Sequence, residues 1–224
     1  MIPVKICGIT RLEDALAAVG CGAQALGFIF WPESPRYVAP EAAARIVAGL
    51  PPFVVTVGVF VAAPLEEINA VAERCRLDRI QLHGGEPFEL LARLARPGYR
   101  VFRPRDAAEL AAVEAAPDRT VHLDTYHPEL YGGTGHAADW AGARRLAEAL
   151  GRAGRRVILS GGLTPENIAQ AVQAVRPHAL DVSSGVEAAP GSKDPAKIAA
   201  LFRALSGAEP NLTPRSGAHA FANP

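Results

Sequence analysis

The stretch Val4-Lys5-Ile6-Cys7-Gly8-Ile9-Thr10 ends a strand on a thiol and turns at once toward a helix, and the rest of the chain is arranged around it. In an extended segment alternate side chains share a face, so Lys5 and Cys7 point one way while Val4 and Ile6 point the other. The apolar pair suits packing under a helix. Thr10 and Glu13 have the spacing of a capping box, which predicts a helix start near Arg11, with Gly8 permitting the tight turn. A cysteine in general is more often a small buried hydrophobe than a reactive group. Its place beside a lysine, at the carboxyl end of a strand, shifts the reading toward chemistry.

The same unit recurs along the chain. Strands are read near 4–7, 23–30, 54–60, 79–83, 100–103, 120–124, 156–160 and 179–183, and helical patterns near 12–19, 41–48, 65–74, 87–95, 107–114, 140–150, 165–175 and 195–205. Eight alternating units in 224 residues predict an α/β chain folded as a single (β/α)8 TIM barrel over 1–205, with a short disordered tail over 206–224. An open doubly wound sheet is the competing architecture. It would want a Gly-x-Gly-x-x-Gly after the first strand, and Gly8-Ile9-Thr10 offers none.

Composition narrows the function. Formal charge is zero and no block of like charges appears, so neither nucleic acid nor a membrane surface is an expected partner. Cys7, Cys21 and Cys75 are odd in number and widely spaced, which argues against a disulfide framework and a thiolate metal site and for a reducing, cytoplasmic setting. The longest apolar run, 53–63, is rich in valine and bracketed by prolines. It reads as a buried strand rather than a bilayer span.

The strand ends carry the functional signal. By period two, Gln81 with His83, His122 with Asp124, Ile158 with Ser160 and Asp181 with Ser183 share faces opposite Leu82, Leu123, Leu159 and Val182. The apolar set should face the helices, leaving a polar set inside the barrel at its carboxyl end. Several buried ionisable groups together are costly unless paired or used. The turns at Ser160-Gly161-Gly162-Leu163 and Asp181-Val182-Ser183-Ser184-Gly185 follow the last two strands, where barrel enzymes commonly cradle a phosphate. Thr164 and Pro165 are read as the cap and first residue of the next helix. Tyr131-Gly132-Gly133-Thr134-Gly135-His136 has the make-up of a lid, and Arg36 sits on a proline-stiffened loop suited to clamping a carboxylate.

In order, Lys5 to Thr10, Ser34-Pro35-Arg36, Gln81-Leu82-His83-Gly84, Asp124 followed by Gly132-Gly133-Thr134-Gly135, Leu159 to Leu163, and Asp181 to Glu187 with Pro190-Gly191-Ser192-Lys193-Asp194 resemble the phosphoribosylanthranilate isomerase family of tryptophan biosynthesis. The resemblance runs from Val4 to about Leu205. It implies a cofactor-independent Amadori rearrangement with Cys7 as general base and Asp124 as general acid. Arg36 would hold the anthranilate carboxylate, Gly161, Gly162, Ser183, Ser184 and Gly185 the phosphate, and Asp181 the sugar hydroxyls. His83 and Gly133 join them as substrate contacts, and no metal is implied. The implied partner is a small sugar phosphate, bound by a monomer or a homodimer.

His136 stands where the resemblance implies a varied, often basic or polar residue, and the fifth strand, at Phe102-Arg103-Pro104, matches no motif of the family. Burial is expected to keep Asp124 protonated, and Lys5 to favour the Cys7 thiolate, unless the lysine pairs with a barrel carboxylate instead. Other readings of the same residues are a cysteine hydrolase using His83 or His122, a metal hydrolase using His83, His122 and Asp124, the related isomerase of histidine biosynthesis, and a non-catalytic phosphate-binding barrel.

Overall fold

The computed structural model describes residues 2–125 and 140–208. Eight strands close into a parallel barrel in sequence order: Val4–Cys7 (β1), Ala25–Ile29 (β2), Val55–Phe60 (β3), Arg79–Leu82 (β4), Gly98–Phe102 (β5), Thr120–Asp124 (β6), Arg156–Ser160 (β7) and Ala179–Val182 (β8). The ring shuts where β1 meets β8, with Val4 opposite Leu180 and Lys5 opposite Asp181. On the outside lie Leu12–Gly20 (α1), Pro40–Ala48 (α2), Leu65–Arg74 (α3), Ala107–Ala115 (α4), Trp140–Arg152 (α5), Ile168–Val175 (α6) and Pro195–Ala208 (α7). Every barrel strand falls within a few residues of its sequence-based position.

Alternation explains what holds the barrel and what it leaves for chemistry. Val4, Ile6, Leu26, Phe28, Leu82, Leu123, Leu159 and Leu180 point outward into one apolar cluster with Ile68, Leu146, Ile168 and Leu201 from the helices. Each fully buried Leu, Ile or Phe contributes roughly 1.5–3 kcal/mol. The inward set includes Lys5, Gln81, His122, Asp124 and Asp181, all buried. Desolvation offsets most of what their mutual attraction provides. Stability therefore comes from the wall's outer face, and the inner face is left to bind and react.

Four local expectations change. Thr10 does not cap α1, because its hydroxyl donates to Gly191 O across the fold at 2.5 Å; Arg11 takes the cap position and pairs with Asp14 instead. Between β4 and β5 the chain forms a 3-10 helix at Phe88–Arg93 rather than an α-helix, a tighter coil that covers more length per residue before Pro97 and Gly98 begin the next strand. After β7, α6 starts at Ile168, so Thr164 and Pro165 lie in a turn ahead of it. The last helix runs to Ala208, past the boundary expected at 205. The remainder of the tail, 209–224, and the glycine-rich stretch 131–136 with Gly133 lie outside the described residues.

One element was not anticipated at all. Glu187–Ala189 (β9) and Ser192–Lys193 (β10) form a small antiparallel hairpin between β8 and α7. Gly191, at φ 78°, supplies its turn.

Candidate active site

The carboxyl ends of the strands surround a cavity of about 530 Å³. Cys7 and Asp124 both line it, together with Arg36, His83, Gly161, Gly162, Asp181, Ser183 and Ser184. Cys7 comes from β1 and Asp124 from β6, three steps apart around the ring. The alternation seen in the sequence is what brings them to one mouth.

Gly185 is the exception. It does not line the cavity; a Cβ there would stand 1.9 Å from Leu163 O, so it lets the loop after β8 press against the loop after β7. The β7 loop is formed by Gly161 and Gly162 at φ 99° and 65°. It is pinned by a residue that sequence reasoning missed. Asn167 donates from Nδ2 to Gly162 O at 2.8 Å and accepts from Thr164 N at 2.8 Å. Ser183 donates its hydroxyl to Cys7 O, tying the β8 loop to the thiol's own backbone.

Lys5 lies beneath Cys7 and donates to Asp181 Oδ2 at 2.7 Å, both groups being buried. Room for this comes from β2, because a Cβ on Gly27 would stand 2.7 Å from Cys7 Sγ and 2.9 Å from Lys5 Nζ. Burial works against the Lys5 charge, but Asp181, with Cys7 and Tyr99, more than restores it, and its pKa moves up. For Cys7 the direction is also up: burial dominates, the Lys5 ammonium pulls back, and Asp181 adds to the rise. The expected thiolate-favouring action of Lys5 is present but outweighed. The other expectation, pairing with a barrel carboxylate, is what the structure shows.

Deeper in the barrel, His122 shares its Nε2 with Ser160 Oγ at 2.8 Å and approaches Asp181 Oδ2 at 3.6 Å. Burial, with Lys5 and His83 adding to it against Asp181 and Asp124, lowers its pKa to about 4, so the ring is neutral at neutral pH. Tyr99 donates to Gln81 Oε1, and Gln81 Nε2 lies 3.4 Å from His83 Nδ1.

Asp124 is buried, as expected, but not isolated. Arg103 Nε donates to its Oδ2 at 2.7 Å, and His83 Nε2 lies 3.7 Å from the same oxygen. Arg103 belongs to the Phe102-Arg103-Pro104 stretch that matched no motif; only β5–β6 pairing, invisible in the sequence, brings it here. Ile29, Trp31, Val59 and Val61 add an apolar wall to the cavity. Among the described residues no group of three His, Cys, Asp or Glu side chains is arranged to hold a metal. No described helix is long and apolar enough to cross a membrane.

A closed eight-stranded barrel with a thiol, carboxylates and imidazoles gathered at its carboxyl-terminal mouth defines a (β/α)8-barrel enzyme of the acid-base class. The comparisons narrow this further. Residues 4–204 match the family model described as N-(5'-phosphoribosyl)anthranilate (PRA) isomerase. The N-(5'-phosphoribosyl)anthranilate isomerase of Geobacter metallireducens is 52% identical over 203 residues, 91% of this chain and 98% of that one. The crystal structure of phosphoribosyl anthranilate isomerase from Thermotoga maritima superposes with a TM-score of 0.84 at 44% identity, over 92% of this chain and all of that one. A crystal structure of phosphoribosyl anthranilate isomerase in complex with reduced 1-(o-carboxyphenylamino)-1-deoxyribulose 5-phosphate gives a TM-score of 0.82 at 41% identity, over 92% of this chain and 100% of that one. The chain belongs to the N-(5'-phosphoribosyl)anthranilate isomerase family.

Proposed function

We infer that the chain catalyses the Amadori rearrangement of N-(5'-phosphoribosyl)anthranilate to 1-(2-carboxyphenylamino)-1-deoxyribulose 5-phosphate, a step of tryptophan biosynthesis, without a cofactor. The observation that carries the assignment of roles is the meeting of Cys7 and Asp124 in one cavity. In this reading Asp124 protonates the furanose ring oxygen as the C1–O bond breaks, leaving an iminium at C1. Cys7, as thiolate, removes the C2 proton, and the resulting enolamine relaxes to the ketone. The upward shift of the thiol makes its thiolate scarcer at neutral pH but a stronger base once formed. The acid must be freed from Arg103 before it can give a proton, and the Arg103 side chain, 57% exposed, has room to move away.

Binding follows the same division of the mouth. The Gly161-Gly162 turn with Ser183, Ser184 and Gly185 takes the phosphate, Gly185 also setting the spacing of the two loops. Arg36 takes the anthranilate carboxylate, with Ile29, Trp31, Val59 and Val61 beside the ring, while Asp181 and His83 face the sugar. Asp181 Oδ1 is buried and makes no hydrogen bond among the described residues, so an acceptor is available for a hydroxyl. We place the protein in the cytoplasm, as a monomer or homodimer; light scattering on the purified chain decides between them.

The test follows anthranilate-type fluorescence after freshly made phosphoribosylanthranilate is added to wild type, Cys7→Ser and Asp124→Asn. Wild type removes the signal, and each variant slows by about a hundredfold to ten-thousandfold, the contribution of one positioned acid or base. Near-wild-type rates in either variant overturn that residue's role.

A further inference from the structure

The arginine assigned to the anthranilate carboxylate already holds a carboxylate of the protein. Arg36 Nε lies 2.9 and 3.1 Å from the two Glu187 oxygens, and its Nη2 donates to Oε2 at 2.7 Å. One edge of the guanidinium fork is therefore occupied. The other edge, Nη1 with the second proton of Nη2, is left for a ligand in the cavity that Arg36 lines. The stem of Arg36 passes over Gly8, where a Cβ would stand 2.8 Å from Arg36 Cδ.

An anion this close would by itself neutralise the arginine and weaken its hold on a substrate carboxylate. The structure supplies the remedy. Glu187 also accepts from Lys193 Nζ at 2.8 Å and from Gly191 N at 3.2 Å. The Lys193 side chain has no exposed surface. Two cations around one anion leave a net positive charge on the cluster, with Arg36 as its one member in the wall of the cavity. Lys193 Nζ further donates to Ser183 O at 3.2 Å, at the start of the β8 loop. Glu187 and Lys193 face each other across the β9–β10 hairpin, which the chemistry described so far leaves without a task. Burying a lysine and a glutamate for the hairpin's sake alone is a poor bargain in desolvation.

We propose that Glu187 and Lys193 are positioning residues for the substrate's aryl carboxylate. Glu187 fixes the guanidinium of Arg36 by one edge, and Lys193 cancels the Glu187 charge while tying the assembly to the phosphate loop at Ser183. The inference rests on the reading of Arg36 as the carboxylate clamp.

The test compares phosphoribosylanthranilate with phosphoribosylaniline, which lacks the ring carboxylate, in wild type, Lys193→Met, Glu187→Ala/Lys193→Met and Arg36→Met. Lys193→Met leaves Glu187 paired with Arg36, and the double variant leaves no unpaired buried ammonium, so each keeps the test alive should the other fail to fold. Both are expected to raise KM for the carboxylated substrate about tenfold, the scale of one weakened charge-assisted contact, with kcat within about threefold; the aniline analogue, which shares only the phosphate loop that Lys193 touches at Ser183, is expected to lose about threefold at most. An unchanged KM, or an equal loss on both substrates, overturns the proposal. If Arg36→Met loses the carboxylated substrate selectively while the Lys193 and Glu187 variants do not, the proposal alone falls. If Arg36→Met shows no selective loss, the clamp reading falls first and takes the proposal with it.

Discussion

Replacing His122 with glutamine should flatten the acid side of the stability profile. The ring is fully buried, and burial, with Lys5 and His83 nearby, depresses its pKa from 6.5 to about 4 against the opposing pull of Asp181 and Asp124. Lys5, Asp181, Asp124, His83 and the Tyr99 ring, 5.9 Å away, are the groups around it. The folded protein binds this proton less readily than the unfolded chain. Its contribution to stability is therefore complete above pH 6.5 and is lost as the pH falls through 4. At about 1.4 kcal/mol for each tenfold change in proton affinity, the loss comes to about 3 kcal/mol. Glutamine keeps a polar terminus toward Ser160 without titrating. Urea unfolding of both proteins at several pH values from about 7 to about 4 gives the comparison. The variant starts lower at neutral pH because its fit to Ser160 is poorer, yet wild type loses about 3 kcal/mol more across the interval. Curves that run parallel refute the reasoning.

Three further perturbations follow from the same geometry. Lys5→Met removes the ammonium that restrains the Cys7 thiol, so the thiolate ultraviolet absorbance should titrate at higher pH than in wild type, and the unpaired Asp181 should cost about 3–5 kcal/mol in unfolding experiments. A midpoint that stays put or falls refutes the coupling. Gly185→Ala would set a methyl group 1.9 Å from the backbone oxygen of Leu163, which cannot swing aside as a side chain could, so KM for substrate and affinity for inorganic phosphate should both weaken, by about tenfold or more, read by kinetics and calorimetry. Asn167→Ala removes both bonds that pin the β7 loop, which predicts about 1–2 kcal/mol of destabilisation by urea and weaker phosphate binding with kcat little changed.

The barrel was legible because its information is local. Period-two alternation at Gln81 to His83 and His122 to Asp124, set between helical stretches, names both the strand and its inward face. The inward placement of the two proposed reacting residues was readable for the same reason, each ending a strand of that kind, while their roles as base and acid came from the family resemblance alone. What escaped depends on partners distant in sequence. Thr10 has the spacing of a capping residue, yet its hydroxyl bonds 181 positions away. Arg36 looked like an unpaired clamp because Glu187, 151 positions on, is brought to it only by the closed fold. Arg103 meets Asp124 through strand neighbourhood, which no spacing rule records. Asn167 was readable in principle, since an asparagine three residues after Thr164 can bond its backbone amide. The expectation of a threonine cap obscured it.

The closure of β1 on β8 has a consequence for how the molecule is made. Lys5 and Asp181 stand 176 positions apart, as do Cys7 and Ser183. A ribosome delivers the amino end first, so for most of translation the Lys5 ammonium has no counter-charge and β1 is an open edge with no strand beside it on one side. The Cys7 thiol, buried in the finished barrel, is then accessible to oxidants and foreign chains. The first strand is protected, and Lys5 meets its counter-charge, only once β8 has left the exit tunnel.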